Sequence, residues 1–235
     1  MITVTNPYNA EPLGDRCCYW IFAYQLQKIH QQKVNVENFK DLSFFQKIYQ
    51  TNDVGHFSPN AQRIIKYDTL SACELWASYQ DHPKATYIPD VQIDLPQKFV
   101  VCQWDAKQGF RMIEQTRKEK IIEFYKKLGY EFVTIGGESK DSRLKNDLNY
   151  IAYAISKADY FVGADSGMMN VSKLILPLDK IHSYVNLKWS INTPNNKHDY
   201  RNMWDGRSLS GCIRSIYRMG APINYCENLD NPIVY

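Results

Sequence analysis

The stretch Ala158-Asp159-Tyr160-Phe161-Val162-Gly163-Ala164-Asp165-Ser166-Gly167-Met168-Met169-Asn170-Val171-Ser172-Lys173 runs from apolar residues into an acid, a hydroxyl and a glycine, then back into apolar spacing. That order predicts a buried strand ending in a small polar turn that opens a helix. The first backbone N–H groups of a helix have no intrahelical acceptor and are free to bind an anionic oxygen. A pyrophosphate suits such an end. Asp165 and Ser166 suit plain helix caps equally well, so residue type alone leaves both uses open. A second small turn, Gly136-Gly137-Glu138, closes another apolar run, Tyr130-Glu131-Phe132-Val133-Thr134-Ile135.

These turns need elements to hold them. Lys98 to Trp104 reads as a buried parallel strand, Thr116 to Leu128 as a helix stopped by Gly129, Leu148 to Lys157 as a second helix, and Tyr160 to Gly163 as a third strand. Strands alternating with helices imply a parallel sheet, and ligands of such sheets bind beyond the carboxyl ends of the strands, where both glycine-bearing turns fall. The N-terminal half repeats the pattern more weakly. Met1 to Thr5 alternates like a strand, and Cys18, Ile21, Phe22, Leu26 and Ile29 recur at helical spacing behind Asp15, which is expected at the N-cap. Val34 to Val36 reads as another strand. The prolines Pro83, Pro89 and Pro96 mark a linker, so the expected organisation is an N-terminal unit over 1–96, a nucleotide-binding core over 97–178, and loops and helices over 179–235 that pack back.

Charge excludes little: the net +3 tolerates an anionic substrate without demonstrating a nucleic-acid surface. The six cysteines include no Cys-x-x-Cys pair and the five histidines stand apart, so reduced thiols and no metal site are expected. Asn6, Glu11, Asp15 and Arg16 break up the start of the chain, so neither a secretory signal nor a membrane span is expected. A cytoplasmic location is the expectation, with a peripheral position at the inner membrane face as its variant.

The Asp165-Ser166-Gly167 turn resembles the Asp-Ser-Gly motif of the ADP-heptose:lipopolysaccharide heptosyltransferases, glycosyltransferase family 9. The strand and loop Phe132-Val133-Thr134-Ile135-Gly136-Gly137-Glu138 resembles the Gly-Gly loop of that family, and Gly14-Asp15 extends the likeness to the start of the chain. The resemblance implies an α/β protein of GT-B-like architecture, with two Rossmann-like parallel-sheet domains facing a cleft. It implies transfer of a sugar from a nucleotide-diphosphate sugar to a hydroxyl, with inversion and without metal or cofactor.

On matching positions Asp15 inherits the role of general base, since an attacking hydroxyl must lose its proton to a carboxylate within hydrogen-bond reach. Arg111, with Lys107 as the alternative, would stabilise the departing diphosphate. Glu138 would contact the nucleoside or ribose beside Gly136 and Gly137, and Asp165, Ser166 and Gly167 would hold the diphosphate and sugar. The family has a histidine where this chain has Asn170, which is placed in the donor site but leaves that imidazole's role unfilled. The chain is also shorter than the typical member, chiefly in the acceptor-binding half.

The acceptor expected from the family is a glycan or lipid-linked saccharide. A second reading is a phage-type DNA glycosyltransferase, because Lys188, Trp189, Lys197, His198, Tyr200, Arg201, Trp204 and Arg207 interleave cations with aromatics that can grip phosphates and stack on bases. Two readings without transfer also stand: a non-catalytic nucleotide-sugar-binding protein and a nucleotide-sugar epimerase.

Overall fold

The computed structural model describes residues 2–5, 13–37, 41–52, 54, 63–66, 84–106, 113, 115–136, 141–145, 147–164 and 166–184. The first sheet is built from β1 (Ile2–Thr5), β2 (Val34–Glu37) and β3 (Arg63–Lys66), all parallel, in the order β2-β1-β3. Helix α1 (Leu13–His30) connects β1 to β2, and α2 (Leu42–Ile48) follows β2. The second sheet contains β4 (Phe99–Gln103), β5 (Glu131–Thr134), β6 (Tyr160–Ala164) and β7 (Ile181–Tyr184), again all parallel, in the order β5-β4-β6-β7. Its helices are α3 (Gln115–Lys127), α4 (Leu148–Lys157) and α5 (Gly167–Ile175). The chain enters at β4, lays β5 on one side and β6 on the other, so strand order switches between β4 and β6. Open parallel sheets bind ligands at such a point, beyond the strand carboxyl ends.

Strand β4 shows why this sheet is covered on both faces. Phe99 and Val101 join one apolar cluster with Ile151, Ile155 and Met169, whereas Val100 and Cys102 join another with Ile121 and Tyr125 of α3. Successive side chains of a strand point to opposite faces, so a run of apolar residues without polar alternation must be sandwiched. The first cluster continues without a break into the N-terminal half through Val4, Trp20, Phe45 and Ile48. Trp20 is fully buried, with its ring 5.7 Å from Phe45 and 6.4 Å from Tyr49. The two sheets therefore share one core, and α1 packs on α5 between them.

The linker has a structural task. Residues 84–97 form no helix or strand. Their backbone instead satisfies the carbonyls that helix ends leave unpaired. Thr86 and Tyr87 N–H groups donate to Ile48 O at the end of α2, at 2.8 and 3.0 Å, and Ala85 N–H donates to Leu174 O of α5 at 2.7 Å. Lys84 Nζ adds bonds to Lys173 O and Leu176 O, each 2.7 Å.

Two expectations shift. Helix α1 begins at Leu13, which puts Asp15 inside the first turn rather than at the cap. Strand β7 lies in a stretch too polar and too short to announce itself, although Ile181 and His182 are buried, and from residue 185 the chain lies outside the described residues. The C-terminal stop of α3 at Gly129 is as expected, with φ +81.

Candidate functional site

Three neighbouring strands, β5, β4 and β6, bring Gly136, Gln103 and Ser166 to one edge of the second sheet. Gly136 takes φ +78, a left-handed conformation that only a residue without Cβ adopts at no cost, so the chain turns sharply off β5. Ser166 is the N-cap of α5, and its Oγ accepts the Met169 N–H at 3.3 Å. The same hydroxyl donates to Gln103 Oε1 at 2.5 Å, tying the β6 turn to the end of β4. The N–H groups of Gly167 and Met168 at the first turn have no partner among the described residues. Two open amides at the positive end of a helix dipole form the kind of end that receives a phosphate oxygen.

The N-terminal half reaches the same place through α1. A Cβ on Gly14 would stand 2.5 Å from Asn170 Nδ2 and 3.3 Å from Gly167 Cα, and a Cβ on Gly167 would stand 3.0 Å from Gly14 N. The two helix N-termini thus meet glycine against glycine, and a larger residue at either position would require its neighbours to shift. Arg16, one residue beyond Asp15, pairs with Asp41 at 2.7 Å, which anchors this end of α1 to the start of α2.

Gly14, Gly136, Ser166, Gly167 and Asn170 are therefore brought together around one edge. Asn170 is completely buried, and Lys173 Nζ, also buried, donates to its Oδ1 at 3.4 Å. Asn170 therefore lies at the junction of α1 and α5. Asp15 is placed by its backbone in α1, next to Gly14. Lys107, Arg111, Gly137, Glu138 and Asp165 lie outside the described residues, as does the basic and aromatic stretch from Lys188 to Arg207. Gln103 escapes a reading of the sequence, where it is simply the last polar residue of an apolar run. The available signal is its position, since a polar residue ending a buried strand faces the ligand edge of a parallel sheet.

No protein-family model matches the sequence, and no curated protein matches it. Solved structures do. The iron-containing dodecameric glycosyltransferase TibC from enterotoxigenic E. coli H10407 superposes with a TM-score of 0.60 at 13% identity, over 90% of this chain and 64% of TibC. The chain has the heptosyltransferase-like GT-B fold. A second structure, the dodecameric iron-containing heptosyltransferase TibC in complex with ADP-D-β-D-heptose, gives a TM-score of 0.58 at 14% identity over the same shares. The chain thus spans 64% of the length of that glycosyltransferase.

This fold overturns one expectation. The scatter of cysteines and histidines points to no cofactor or metal, yet TibC is iron-containing. Spacing along a chain detects only ligands supplied by one element, and ligands drawn from distant segments leave no such pattern. Among the described residues no group of three or more His, Cys, Asp or Glu side chains could hold a metal. The described residues do not fit an iron site. Among the described residues, too, no helix is long and apolar enough to cross a membrane.

Proposed function

We propose that the chain is a nucleotide-sugar-dependent glycosyltransferase that moves a sugar from a nucleoside diphosphate to a hydroxyl of a saccharide acceptor. The observation that supports this reading is the meeting of Gly14 and Gly167, by which the start of α1, the helix that carries Asp15, approaches the N-terminus of α5. In this scheme the diphosphate lies on the amides of Gly167 and Met168, with Asp165 and Ser166 flanking the sugar. Asp15 takes the proton of the attacking hydroxyl. Arg111 or Lys107 stabilises charge on the leaving diphosphate, and Glu138 contacts the nucleoside side. Holding donor and acceptor across one edge converts the encounter into a positioned displacement, with inversion at the anomeric carbon.

The likeness to TibC supports an ADP-linked sugar as the first donor to try. A glycan or lipid-linked saccharide in the cytoplasm is the proposed acceptor, and the donor-side unit is taken as 97–178. The test is a thermal-shift and turnover screen over nucleoside diphosphates and nucleotide sugars. A true donor raises the unfolding midpoint, because a ligand that binds only the native state stabilises it. Nucleoside diphosphate should then be released only when acceptor is added. No response to any member of the panel would sink the reading; an isomerised nucleotide sugar formed without acceptor would favour the epimerase, and nucleoside diphosphate released without acceptor would mean transfer to water.

A further inference from the structure

We propose that Gln103 is a donor-binding residue, holding Ser166 through Oε1 and offering Nε2 to an anionic oxygen of the bound nucleoside diphosphate. This rests on the donor site proposed above. Several independent restraints fix the side chain. The Ser166 Oγ already accepts the Met169 N–H, so its own proton remains to be donated, and it points at Gln103. A hydroxyl proton needs an acceptor, so Oε1 is the amide atom that faces Ser166 and Nε2 faces away.

Away from Ser166 lies Gly136. A Cβ built there would stand 3.2 Å from Nε2, and the glycine leaves that space free. Among the described residues Nε2 has no hydrogen-bond partner. The backbone beneath is equally determined. Gln103 pairs in register with Gly163 of β6, where a Cβ would collide with the Gln103 carbonyl oxygen. Two glycines thus leave room around one glutamine, and its free amide donor stands between the Gly136 turn and the N-terminus of α5. An uncommitted N–H at the ligand edge of a parallel sheet, one hydrogen bond from the cap of an anion-receiving helix, adds a third donor to the amides of Gly167 and Met168.

A purely structural glutamine would bridge the turns without touching the donor, and Gln103→Glu separates the two. The carboxylate keeps an oxygen for the Ser166 hydroxyl, so the bridge and the cap persist, while the N–H is lost and a negative charge faces the diphosphate. Calorimetry would use whichever of ADP, GDP, UDP, CDP and dTDP binds the unaltered chain most tightly, together with the matching nucleoside. For Q103E the diphosphate Kd should rise by about tenfold or more, with the unfolding midpoint near that of the parent. Affinity should recover as the pH is lowered and the introduced carboxylate takes up a proton to become a neutral donor, and nucleoside binding should not change. Gln103→Ala should weaken the diphosphate and also lower the midpoint, because the Ser166 bridge goes with it.

Unchanged diphosphate affinity in Q103E, or an equal loss for nucleoside and diphosphate, would overturn the role of Gln103 and leave the donor site standing. Failure of the parent chain to bind any of the five diphosphates would instead overturn the donor site itself, and this proposal with it.

Discussion

Gly14 lies so close to Asn170 that a methyl group on its Cα would stand 2.5 Å from the Asn170 amide nitrogen. Residues from opposite halves of the chain are here in contact at the N-termini of α1 and α5. Gly14→Ala should therefore destabilise the protein by about 1–3 kcal/mol, the usual range for overpacking a filled site. Because the first obstacle is a side chain, Asn170→Ala should relieve part of that cost. A double-mutant cycle by denaturant unfolding checks this, and strictly additive effects would show that the two residues are not in contact.

Gly163→Ala should be worse tolerated than Gly14→Ala. Its obstacle is the backbone of Gln103 within the β4–β6 ladder, and a ladder cannot rotate a carbonyl out of the way as a side chain can. The measurement is the unfolding free energy of the two variants side by side. Equal losses would mean that the strands separate more readily than their pairing indicates.

The second sheet is readable in the sequence because its elements are complete signals: an apolar run without alternation for β4, a glycine stop after α3, and Asp147 and Ser166 capping α4 and α5 through side-chain bonds to Asn149 and Met169 N–H groups. The contact between α1 and α5 is invisible there. Glycines at 14 and 167 are ordinary turn residues in a linear reading, and only tertiary packing shows that each is small because of the other. Gln103 escapes for a related reason, since its partners Ser166 and Gly136 come from other strands. The burial of Asn170 under the packing of α1 on α5 is likewise invisible in the linear motif.

Stability should fall as the pH drops from 6.5 towards 4. His182 is buried on β7 against Tyr160 and Tyr125, with its Nδ1 hydrogen-bonded to the Tyr125 hydroxyl. Burial lowers its pKa from 6.5 to about 4, opposed only in part by Asp179. Between these values the unfolded chain holds a proton that the folded chain refuses, so stability rises with pH across the window and is lost as pH falls through it. The full loss is about 3 kcal/mol, at about 1.4 kcal/mol per pKa unit. His182→Gln removes the titrating ring, and urea unfolding at pH 4 and 6.5 should show a smaller difference than the parent. An unaltered difference would place the acid sensitivity in other groups.

Cys102 should resist alkylation in the native protein. Burial raises its thiol to about 12, against smaller opposing effects from Thr134 and Lys118, so the reactive thiolate is absent at neutral pH. Cys17 is buried as well. Iodoacetamide at pH 8 followed by peptide mass mapping should leave both unmodified until denaturant is added. Rapid native labelling of Cys102 would show that the α3 face of the sheet opens.

Asp15→Asn is the sharpest test of the proposed chemistry, because it preserves shape and removes only the capacity to take a proton. The backbone of Asp15 belongs to the first turn of α1, where Gly14 fixes it against α5. General-base catalysis is worth about 100- to 10,000-fold, so turnover should fall by that much while donor affinity stays within a few-fold of the parent. A shared loss of binding and turnover would instead make Asp15 part of the donor site or of the helix start. Unchanged turnover would remove it from the chemistry and require the base to come from another residue at the same edge.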